Sequence, residues 1–299
     1  MQNDNLKSYA LLHLIVFIWG FTAILGALIS LDALPLVWWR MSLAVVFIFI
    51  YIKIKKIDLK IPRKTLIAFL FAGLVIALHW LTFFKAIKVS NVSVTLACLS
   101  TGAFFTSLLE PLLFGKKVVW YEVLFGVIVI FGLYIIFNVE VDYVLGIVLA
   151  LTSAFLSALF TVINAKYTKI YMPSVISIYE LIGGVGFLSL YLLFSGGFTT
   201  NFFVLSIEDL GWLILLASVC TAYAFIASVK VMKYLSPYTV MLTINLEPVY
   251  GIILALLIFK DSEHMNPMFY VGAGIILLTV ILNGVIKKYK KDETKSELV

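Results

Sequence analysis

Residues 237–259, PYTVMLTINLEPVYGIILALLIF, decide the fold of this chain. They form an apolar run of 23 residues with a single charged side chain, Glu247, close to the middle. A helix of about 20 mostly apolar residues is long enough to cross the hydrocarbon core of a bilayer. The run therefore predicts a transmembrane helix with one carboxyl group at mid-membrane.

Nine more apolar blocks of similar length fill most of the remaining sequence. Hydrophobic residues make up 63% of the 299 residues and charged residues only 13%, about half the charged fraction of a typical soluble domain. The blocks lack the period-two alternation of barrel strands, so we predict an all-α integral membrane protein of ten transmembrane helices. The predicted spans are Ala10–Ser30, Leu34–Ile54, Thr65–Ala86, Val92–Phe114, Val118–Phe137, Tyr143–Asn164, Ser174–Phe194, Leu210–Ser228, Pro237–Phe259 and Met268–Ile286.

The basic residues divide unevenly between the segments that connect these spans. With the N-terminus placed inside, 18 Lys and Arg residues fall on the inner side, whereas only Lys85, Lys88 and Lys260 fall on the outer side. Cytoplasmic loops carry the excess of Lys and Arg, so both termini are predicted to be cytoplasmic in a multi-pass protein of the cell membrane. The net charge of +6 then reflects topology, and nucleic acid is not predicted as a partner.

The two halves of the sequence share a faint internal similarity. Pro35 matches Pro173 at an offset of 138, and residues 90–94 match residues 236–240 at an offset of 146. Each half contributes five predicted helices, an odd number, so the second half enters the membrane from the opposite face. We predict two inverted five-helix repeats, an arrangement typical of secondary transporters. The predicted repeats are residues 1–139 and residues 140–299, the second with a basic cytoplasmic tail.

Glu247 is the clearest candidate for a functional side chain. A charged group at mid-membrane costs about 2.5–3.5 kcal/mol on insertion scales, and such groups usually mark a substrate or ion pathway. Thr239 and Thr243 precede Glu247 at spacings of four and Gly251 follows, so this stripe is predicted to face a polar cavity. A structural glutamate satisfied by neighbouring helices is the alternative.

Helix breakers lie at corresponding places in the fourth and ninth predicted spans. Pro248 follows Glu247, and the offset of 146 pairs Pro248 with Gly102. Interrupted helices at matching positions of two repeats point to a transport site, where Ser100 and Thr101 would add hydroxyl groups. A kink that serves only packing is the alternative, since Gly and Pro are common in membrane helices.

Four further polar residues lie inside predicted spans. His79, beside Trp80, is suited to proton transfer or to hydrogen bonding with a substrate, and a satisfied neutral histidine is the alternative. Arg40 and Glu180 stand at similar depths in the second and seventh spans, where they form a candidate charged gate or snorkel to the interface. Ser157 belongs to a small polar face of the sixth span, which helix packing also explains.

Signatures of an enzyme are missing from the sequence. The chain contains no HExxH, GxSxG or P-loop motif. Its two cysteines, Cys98 and Cys220, lie within apolar blocks and predict neither a disulfide nor a metal site. We therefore expect a protein that is not an enzyme and that uses neither a cofactor nor a metal.

Short motifs spread over nearly the whole chain resemble a known family. They are Trp19-Gly20, Pro35 with Arg40, residues 245–250 (NLEPVY) and residues 114–117 (FGKK). Together with the helix count, these motifs resemble the drug/metabolite transporter superfamily, in its ten-helix branch built from two EamA repeats. The family usually has an acidic residue after the glycine of the last motif, where this chain has Lys116.

The resemblance implies two inverted five-helix bundles around a central cavity. It also implies a permease, often an exporter of amino acids or related metabolites, without fixing the substrate or the coupling to protons. The candidate substrate-binding residues stand on helices that line the cavity in this family: Trp19, Gly20, His79, Trp80, Ser100, Thr101, Ser157, Thr243 and Glu247.

These observations favour a secondary transporter that exports amino acids or related small metabolites by alternating access. Substrate is expected to bind near Gly102 and Pro248 while the two repeats rock around it. A membrane-embedded protein that does not transport, either an enzyme or a scaffold, is the alternative. The expected partners are a small-molecule substrate and the lipid bilayer, with protons as an open possibility, and the chain is expected to be a monomer or a homodimer.

Overall fold

The computed structural model describes residues 2–115, 120–139 and 141–296, and the regular structure of this part of the chain is helical throughout. The first half contains α1 (Gln2–Leu28), α2 (Ala33–Lys55), α3 (Arg63–Val89), α4 (Val92–Leu99), α5 (Gly102–Phe114) and α6 (Trp120–Val139). The second half contains α7 (Val144–Tyr167), α8 (Pro173–Phe194), α9 (Ile207–Ala217), α10 (Ala224–Val231), α11 (Pro237–Ile244), α12 (Glu247–Phe259) and α13 (Pro267–Ser296). The predicted all-α fold is confirmed.

Eight helical stretches among the described residues are long and apolar enough to cross a membrane. They overlap eight of the predicted spans, so the chain is a multi-pass membrane protein. The other two predicted spans, Val118–Phe137 and Met268–Ile286, fall largely on α6 and α13, whose apolar stretches are shorter. Residues 118 and 119 lie outside the described part of the chain. The count of ten transmembrane helices therefore stays a prediction.

Two of the spans are interrupted near their centres, one in each half. Ser100 and Thr101 separate α4 from α5, and Asn245 and Leu246 separate α11 from α12. The first residue after each interruption is Gly102 in one half and Glu247 in the other, an offset of 145 that differs by one from the offset suggested by the sequence. The predicted breaks at corresponding positions are present in the structure.

Both interruptions have the same hydrogen-bond pattern. The backbone N–H of Thr101 bonds to the carbonyl of Cys98 at 3.1 Å, and that of Leu246 bonds to the carbonyl of Thr243 at 3.0 Å. Each bond reaches back three residues where an α-helix reaches back four, so the backbone tightens locally. In the second half, Pro248 lacks an N–H group and cannot continue the ladder across the break.

A third span changes its helical pitch near the middle. Between α9 and α10 the chain forms a π-helical segment, Ser218–Tyr223. The hydroxyl of Thr221 donates to the carbonyl of Leu216, five residues earlier, at 2.7 Å. Single π-helical turns inside α-helices often lie at functional sites because the extra residue redirects side chains and carbonyls.

The contacts between the two halves follow a pattern that survives exchange of the halves. Helix α3 packs on α7 and α8, and correspondingly α9 and α10 pack on α1, while α9 also packs on α2. Helix α4 packs on α12, and α5 packs on α11. Helices α6 and α13 pack on each other, where a side chain on Gly132 would stand 3.0 Å from the carbonyl of Gly272 and one on Gly272 would stand 2.8 Å from the carbonyl of Gly132.

Candidate functional site: a central cavity

A cavity of about 60 Å³ lies inside the bundle, between the two halves of the chain. Helices α1 to α4 line it from the first half, and α7, α10, α11, α12 and the π-helical segment line it from the second. A cavity needs about 10–15 Å³ to hold one water molecule, so this one holds a few. Its lining residues are Trp19, Thr22, Arg40, His79, Trp80, Phe83, Leu99, Ser157, Phe160, Thr161, Cys220, Phe225, Ser228, Met232, Met241, Ile244 and Glu247.

The structure brings about half of the predicted site residues together around this cavity. Those that line it are Trp19, Arg40, His79, Trp80, Ser157 and Glu247. The predicted residues that do not line it are Gly20, Ser100, Thr101, Gly102, Glu180, Thr243 and Pro248.

Glu247 reaches the cavity because the interruption makes it the first residue of α12. The side chain is buried, and among the described residues no hydrogen-bond donor pairs with its carboxyl group. The first N–H groups of a helix have no partners within the helix, and the helix dipole favours negative charge there by about 0.3–1 kcal/mol. The break therefore both places the carboxyl on the cavity and moderates the cost of its charge.

Arg40 lies in the interior of the protein and does not extend toward a helix end. Its side chain is only 1% exposed. The Nε donates to the hydroxyl of Thr221 at 2.7 Å, and the guanidinium lies over the ring of Trp80, 3.9 Å from its centre. Planar stacking of this kind stabilises an arginine away from water. The π-helical segment thus holds Arg40 against the cavity through Thr221.

Trp19 is fixed by the same π-helical segment. Its ring Nε1 donates to the backbone carbonyl of Cys220 at 3.1 Å. Because the π-helical turn shifts the hydrogen-bond register, a carbonyl at this place can accept from a side chain of another helix. The contact joins α1 of the first half to the second half at the cavity wall.

A comparison with models of known protein families identifies the family to which this chain belongs. The model of the EamA-like transporter family matches residues 6–138 and again residues 144–285. This chain belongs to the EamA-like transporter family. The match covers two successive repeats, as the sequence predicted.

Two further comparisons were made, one with curated sequences and one with solved structures, and the second concerns the fold of this EamA-like protein. A comparison with curated protein sequences finds no match. A solved structure described only as the crystal structure of a protein has a TM-score of 0.69 at 12% identity, over 95% of this chain and 98% of that chain. At that identity the likeness shows a shared fold alone. The EamA-like protein is therefore a member of a family of membrane transporters.

His79 of the EamA-like protein is half satisfied by the neighbouring α7. Its Nδ1 lies 2.9 Å from the carbonyl oxygen of Ser153 and 2.8 Å from the hydroxyl of the same residue. A carbonyl oxygen only accepts, so Nδ1 carries the proton and donates. The Nε2 atom then stays as the nitrogen that can bond to a molecule in the cavity. The ring lies between Phe83 and Phe160, which fix its plane.

The hydroxyl groups near the two interruptions point into their own helices. Ser100 donates to the carbonyl of Ala97 at 2.6 Å, and Thr101 donates to the carbonyl of Cys98 at 2.7 Å. In the second half, Thr243 donates to the carbonyl four residues before it, at 3.0 Å. Such local bonds are an ordinary alternative for hydroxyls in membrane helices. The predicted Thr239–Thr243–Glu247 stripe thus reaches the cavity only at Glu247.

Gly20, Gly102 and Pro248 shape the surroundings of the cavity without lining it. A side chain on Gly20 would stand 3.0 Å from the Cβ of Tyr250, so this glycine permits α1 to approach α12 closely. A side chain on Gly102 would stand 2.7 Å from the terminal methyl group of Met241, which itself lines the cavity. Pro248 lies beside Ser100 in a separate surface groove.

Glu180 belongs to the contact between α3 and α8 and stands apart from the cavity. Its side chain is fully buried, and one carboxyl oxygen accepts from the amide of Asn164 at 3.3 Å. The other carboxyl oxygen has no hydrogen-bond partner in the described part of the chain. A side chain on Gly73 would collide with the backbone carbonyl of Glu180, so the two helices touch there. No hydrogen bond joins Glu180 to Arg40 across the described residues.

Sequence reasoning missed several cavity residues. Met232 and Met241, together with the aromatic rings of Phe83, Phe160 and Phe225, resemble lipid-facing residues when they are read from the sequence alone. Cys220 stood out in the sequence only as a cysteine within an apolar block, because the π-helical turn that brings it to the cavity wall has no sequence signature. The regular spacing of polar residues in α7 did indicate the face that lines the cavity, since both Ser157 and Thr161 lie there.

Proposed function

We propose that this EamA-like protein is a secondary transporter that exports amino acids or related small metabolites by alternating access. The observation that carries the proposal is the central cavity, which both halves line and onto which the carboxyl of Glu247 opens without a hydrogen-bond donor from the described part of the chain. A mid-membrane carboxyl that no protein group satisfies is suited to an ammonium group or a proton. The aromatic and aliphatic lining provides the apolar surroundings that ligand sites usually offer.

The proposed architecture is ten transmembrane helices in two inverted repeats. It is supported by the contacts between the halves, which pair off when the halves are exchanged, and by the matching interruptions. Helices α6 and α13 pack on each other as equivalent members of the two repeats. Rocking of one repeat against the other would leave the two interruptions at the centre and open the cavity at alternate ends.

One end of the bundle is held closed by hydrogen bonds between the halves. This end, which we call the α3–α4 end, contains the loops after α1, α3, α8 and α12. Asp209 accepts from the backbone N–H and the hydroxyl of Ser30 at 2.7 and 2.6 Å. Glu263 accepts from the backbone N–H groups of Val92 and Ser93 at 2.9 and 2.8 Å. Charge-assisted bonds of this type are stronger than neutral ones.

The opposite end, where α10 meets α11, contains a groove of about 440 Å³. Glu110, Lys169 and Lys233 are among its lining residues. Met232 lines both this groove and the central cavity, so its flexible side chain separates the two spaces. We propose that the structure represents a state closed at the α3–α4 end, with Met232 as the partition toward the other end.

We propose that the α10–α11 end and both termini face the cytoplasm. The distribution of Lys and Arg supports this orientation, because 18 of these residues fall on that side. Single cysteines at Asp58 and Thr200, in a chain from which Cys98 and Cys220 have been removed, should react with impermeant reagents from opposite faces, Thr200 from outside intact cells. Labelling of both positions from one face would overturn the orientation.

Exchange of protons at the cavity is a further part of the proposal. Glu247 and His79 both line the space, and the hydrogen bond of His79 to Ser153 uses Nδ1 rather than Nε2, so two groups that can take up a proton share one compartment. An imposed proton gradient across proteoliposomes should then drive solute accumulation, and Glu247→Gln should abolish the response. Equal accumulation of solute with and without the gradient would show that transport is not coupled to protons.

The proposed export is tested most directly by metabolite profiling followed by reconstitution. Cells with and without the gene are compared for metabolites inside and in the medium, and those that change are tested as solutes with purified protein in vesicles. A transporter should lower the internal level of its substrate and raise the external one. Vesicles that pass none of these solutes faster than protein-free vesicles would favour the non-transporting alternative.

A further inference from the structure

Arg40 is a buried cation whose hydrogen-bonding capacity is only partly used. A guanidinium has five N–H donors, and here Nε donates to Thr221 while the plane lies over Trp80. The Nη1 atom is buried and has no hydrogen-bond partner in the described part of the chain. A buried donor left unpaired is costly, so an arginine held in this way at a cavity wall calls for an acceptor that the protein itself does not provide.

Glu247 supplies the opposite charge in the same space. Arg40 comes from α2 in the first half and Glu247 from α12 in the second, and both line the cavity. The two side chains attract each other electrostatically, yet no hydrogen bond joins them among the described residues. A direct pair would satisfy both groups and leave neither for a ligand. Because no direct pair forms between them in the described part of the chain, both groups stay available to a ligand.

We propose that Arg40 and Glu247 form a two-point site for zwitterionic solutes, with Arg40 binding the anionic group and Glu247 binding the ammonium group. This inference rests on the proposed transport function and assigns the two residues that would recognise the charged groups of the solute. The planar guanidinium suits a carboxylate, which it binds through two parallel N–H donors. The carboxyl at the start of α12 suits an ammonium, which offers three N–H donors.

The arrangement predicts discrimination against solutes with a single charge. A zwitterion leaves the cavity electrically balanced with both protein charges paired. A solute with only an ammonium leaves Arg40 unpaired, and a solute with only a carboxylate leaves Glu247 unpaired, and a buried unpaired charge is costly. Because the two residues belong to different halves, one zwitterion bridging them would also tie the halves together around the solute.

The test uses two matched sets of probes and the purified full-length chain. The first set is L-phenylalanine, its amide, which lacks the carboxylate, and N-acetyl-L-phenylalanine, which lacks the ammonium. The second set has the same three forms of L-leucine. Binding is measured through the shift in unfolding temperature as a function of probe concentration. Wild type should bind the zwitterion of at least one set about tenfold or more tightly than both singly charged forms.

Two variants separate the roles of the charges. Arg40→Met keeps an apolar stem of similar length and should reduce the affinity for the zwitterion about tenfold or more, while the affinity for the amide is retained. Glu247→Gln should show the reverse, with the N-acetyl form retained. Arg63→Met and Glu208→Gln make the same replacements at exposed positions and should leave every affinity unchanged. Arg40→Lys keeps the charge without the planar donor pair and controls for misfolding of Arg40→Met.

The outcomes also separate this inference from the proposed function. If Arg40→Met and Arg40→Lys weaken all three forms by the same factor, Arg40 is structural and the two-point site is wrong. If wild type binds no zwitterion of either set, or binds the singly charged forms equally well, the site is wrong even where the chain still carries another solute in vesicles. If the predicted pattern of binding holds but no probe crosses the membrane, the site stands and the transport function fails.

Discussion

The two interrupted spans share one backbone design and differ in chemistry. Between α4 and α5 the polar groups are used up locally, because the hydroxyls of Ser100 and Thr101 bond to carbonyls of their own helix. Between α11 and α12 the corresponding break exposes the carboxyl of Glu247 to the cavity, and the amide nitrogen of Asn245 has no hydrogen-bond partner in the described part of the chain. Both halves therefore contain the interruption, whereas the second half alone uses it to place a charged group on the cavity.

The largest effect on transport is expected for Glu247→Gln. Glutamine keeps the shape and hydrogen bonding of glutamate and removes the charge. We expect solute flux per folded molecule to fall by about tenfold or more, the effect of losing about 1.4 kcal/mol at the site, while thermal stability stays near the wild-type value. Flux from reconstituted vesicles and unfolding temperature in detergent are the measurements. A purely structural role for Glu247 predicts poor yield with normal flux in the protein that survives.

A smaller effect is expected at Gly102, the counterpart of Glu247 in the first half. A methyl group there meets the end of the flexible side chain of Met241, which would be pushed into the cavity. Gly102→Ala should therefore reduce flux severalfold and change the free energy of unfolding by about 1–3 kcal/mol at most.

The double variant Gly102→Ala with Met241→Ala tests that explanation. Removing the methionine side chain leaves room for the added methyl group, so flux should recover relative to Gly102→Ala alone. A double-mutant cycle measures this coupling between the two positions. Additive losses would show that Met241 does not transmit the effect of Gly102.

Pro248→Ala should produce a still smaller loss. Alanine restores an N–H group that can donate to the carbonyl of Ile244 and draw α11 and α12 into one helix. Because the tight bond from Leu246 to Thr243 would compete with this change, we expect the break to persist in part and flux to fall by a factor of a few. Hydrogen exchange at residues 244–248 reports the break, and unchanged exchange would mean that the proline does not create it.

The smallest effect on transport is expected for Thr101→Val. The threonine is fully buried, and its hydroxyl donates to the carbonyl of Cys98, three residues earlier in the same span. Side-chain hydrogen bonds between membrane helices are worth about 0.6 kcal/mol on average, and we take this value as the scale for the bond of Thr101. Stability should fall by about this amount while flux per folded molecule stays at the wild-type level. A clear loss of flux would show that the first break contributes chemistry as well as shape.

Much of the fold follows from the sequence, because lipid imposes a simple rule on it. A span must be long and apolar, and eight predicted blocks meet that rule in the structure. The two breaks were also predictable, since Gly102 and Pro248 mark them. The π-helical turn was not, because it depends on how one helix packs against its neighbours. As a result, the part that Cys220 and Thr221 play at the cavity had no signal in the sequence.

Side-chain direction limits what the sequence shows of the site. Glu247, His79 and Trp80 were predicted on cavity-lining helices and do line the cavity. Thr101 was predicted in the same way, but its hydroxyl donates to the carbonyl of Cys98 and not into the cavity. A hydroxyl in a membrane helix can do either, and the sequence does not distinguish the two. Arg40 lies near enough to a helix end to suggest snorkelling, whereas packing of α2 against α8, α9 and the π-helical segment encloses it.

The contact between Gly132 and Gly272 helps to explain how the two interrupted spans can differ in chemistry. Each glycine faces the carbonyl of the other, which is the reciprocity of an isologous dimer, where residue i meets residue j and j meets i. Two separate identical subunits joined in this way would have to place any new charge on both sides of their axis. A single chain that holds both copies can change one of them alone. The covalent link between the halves thus permits one carboxylate at the central cavity, where a symmetric pair of subunits would have two that repel each other.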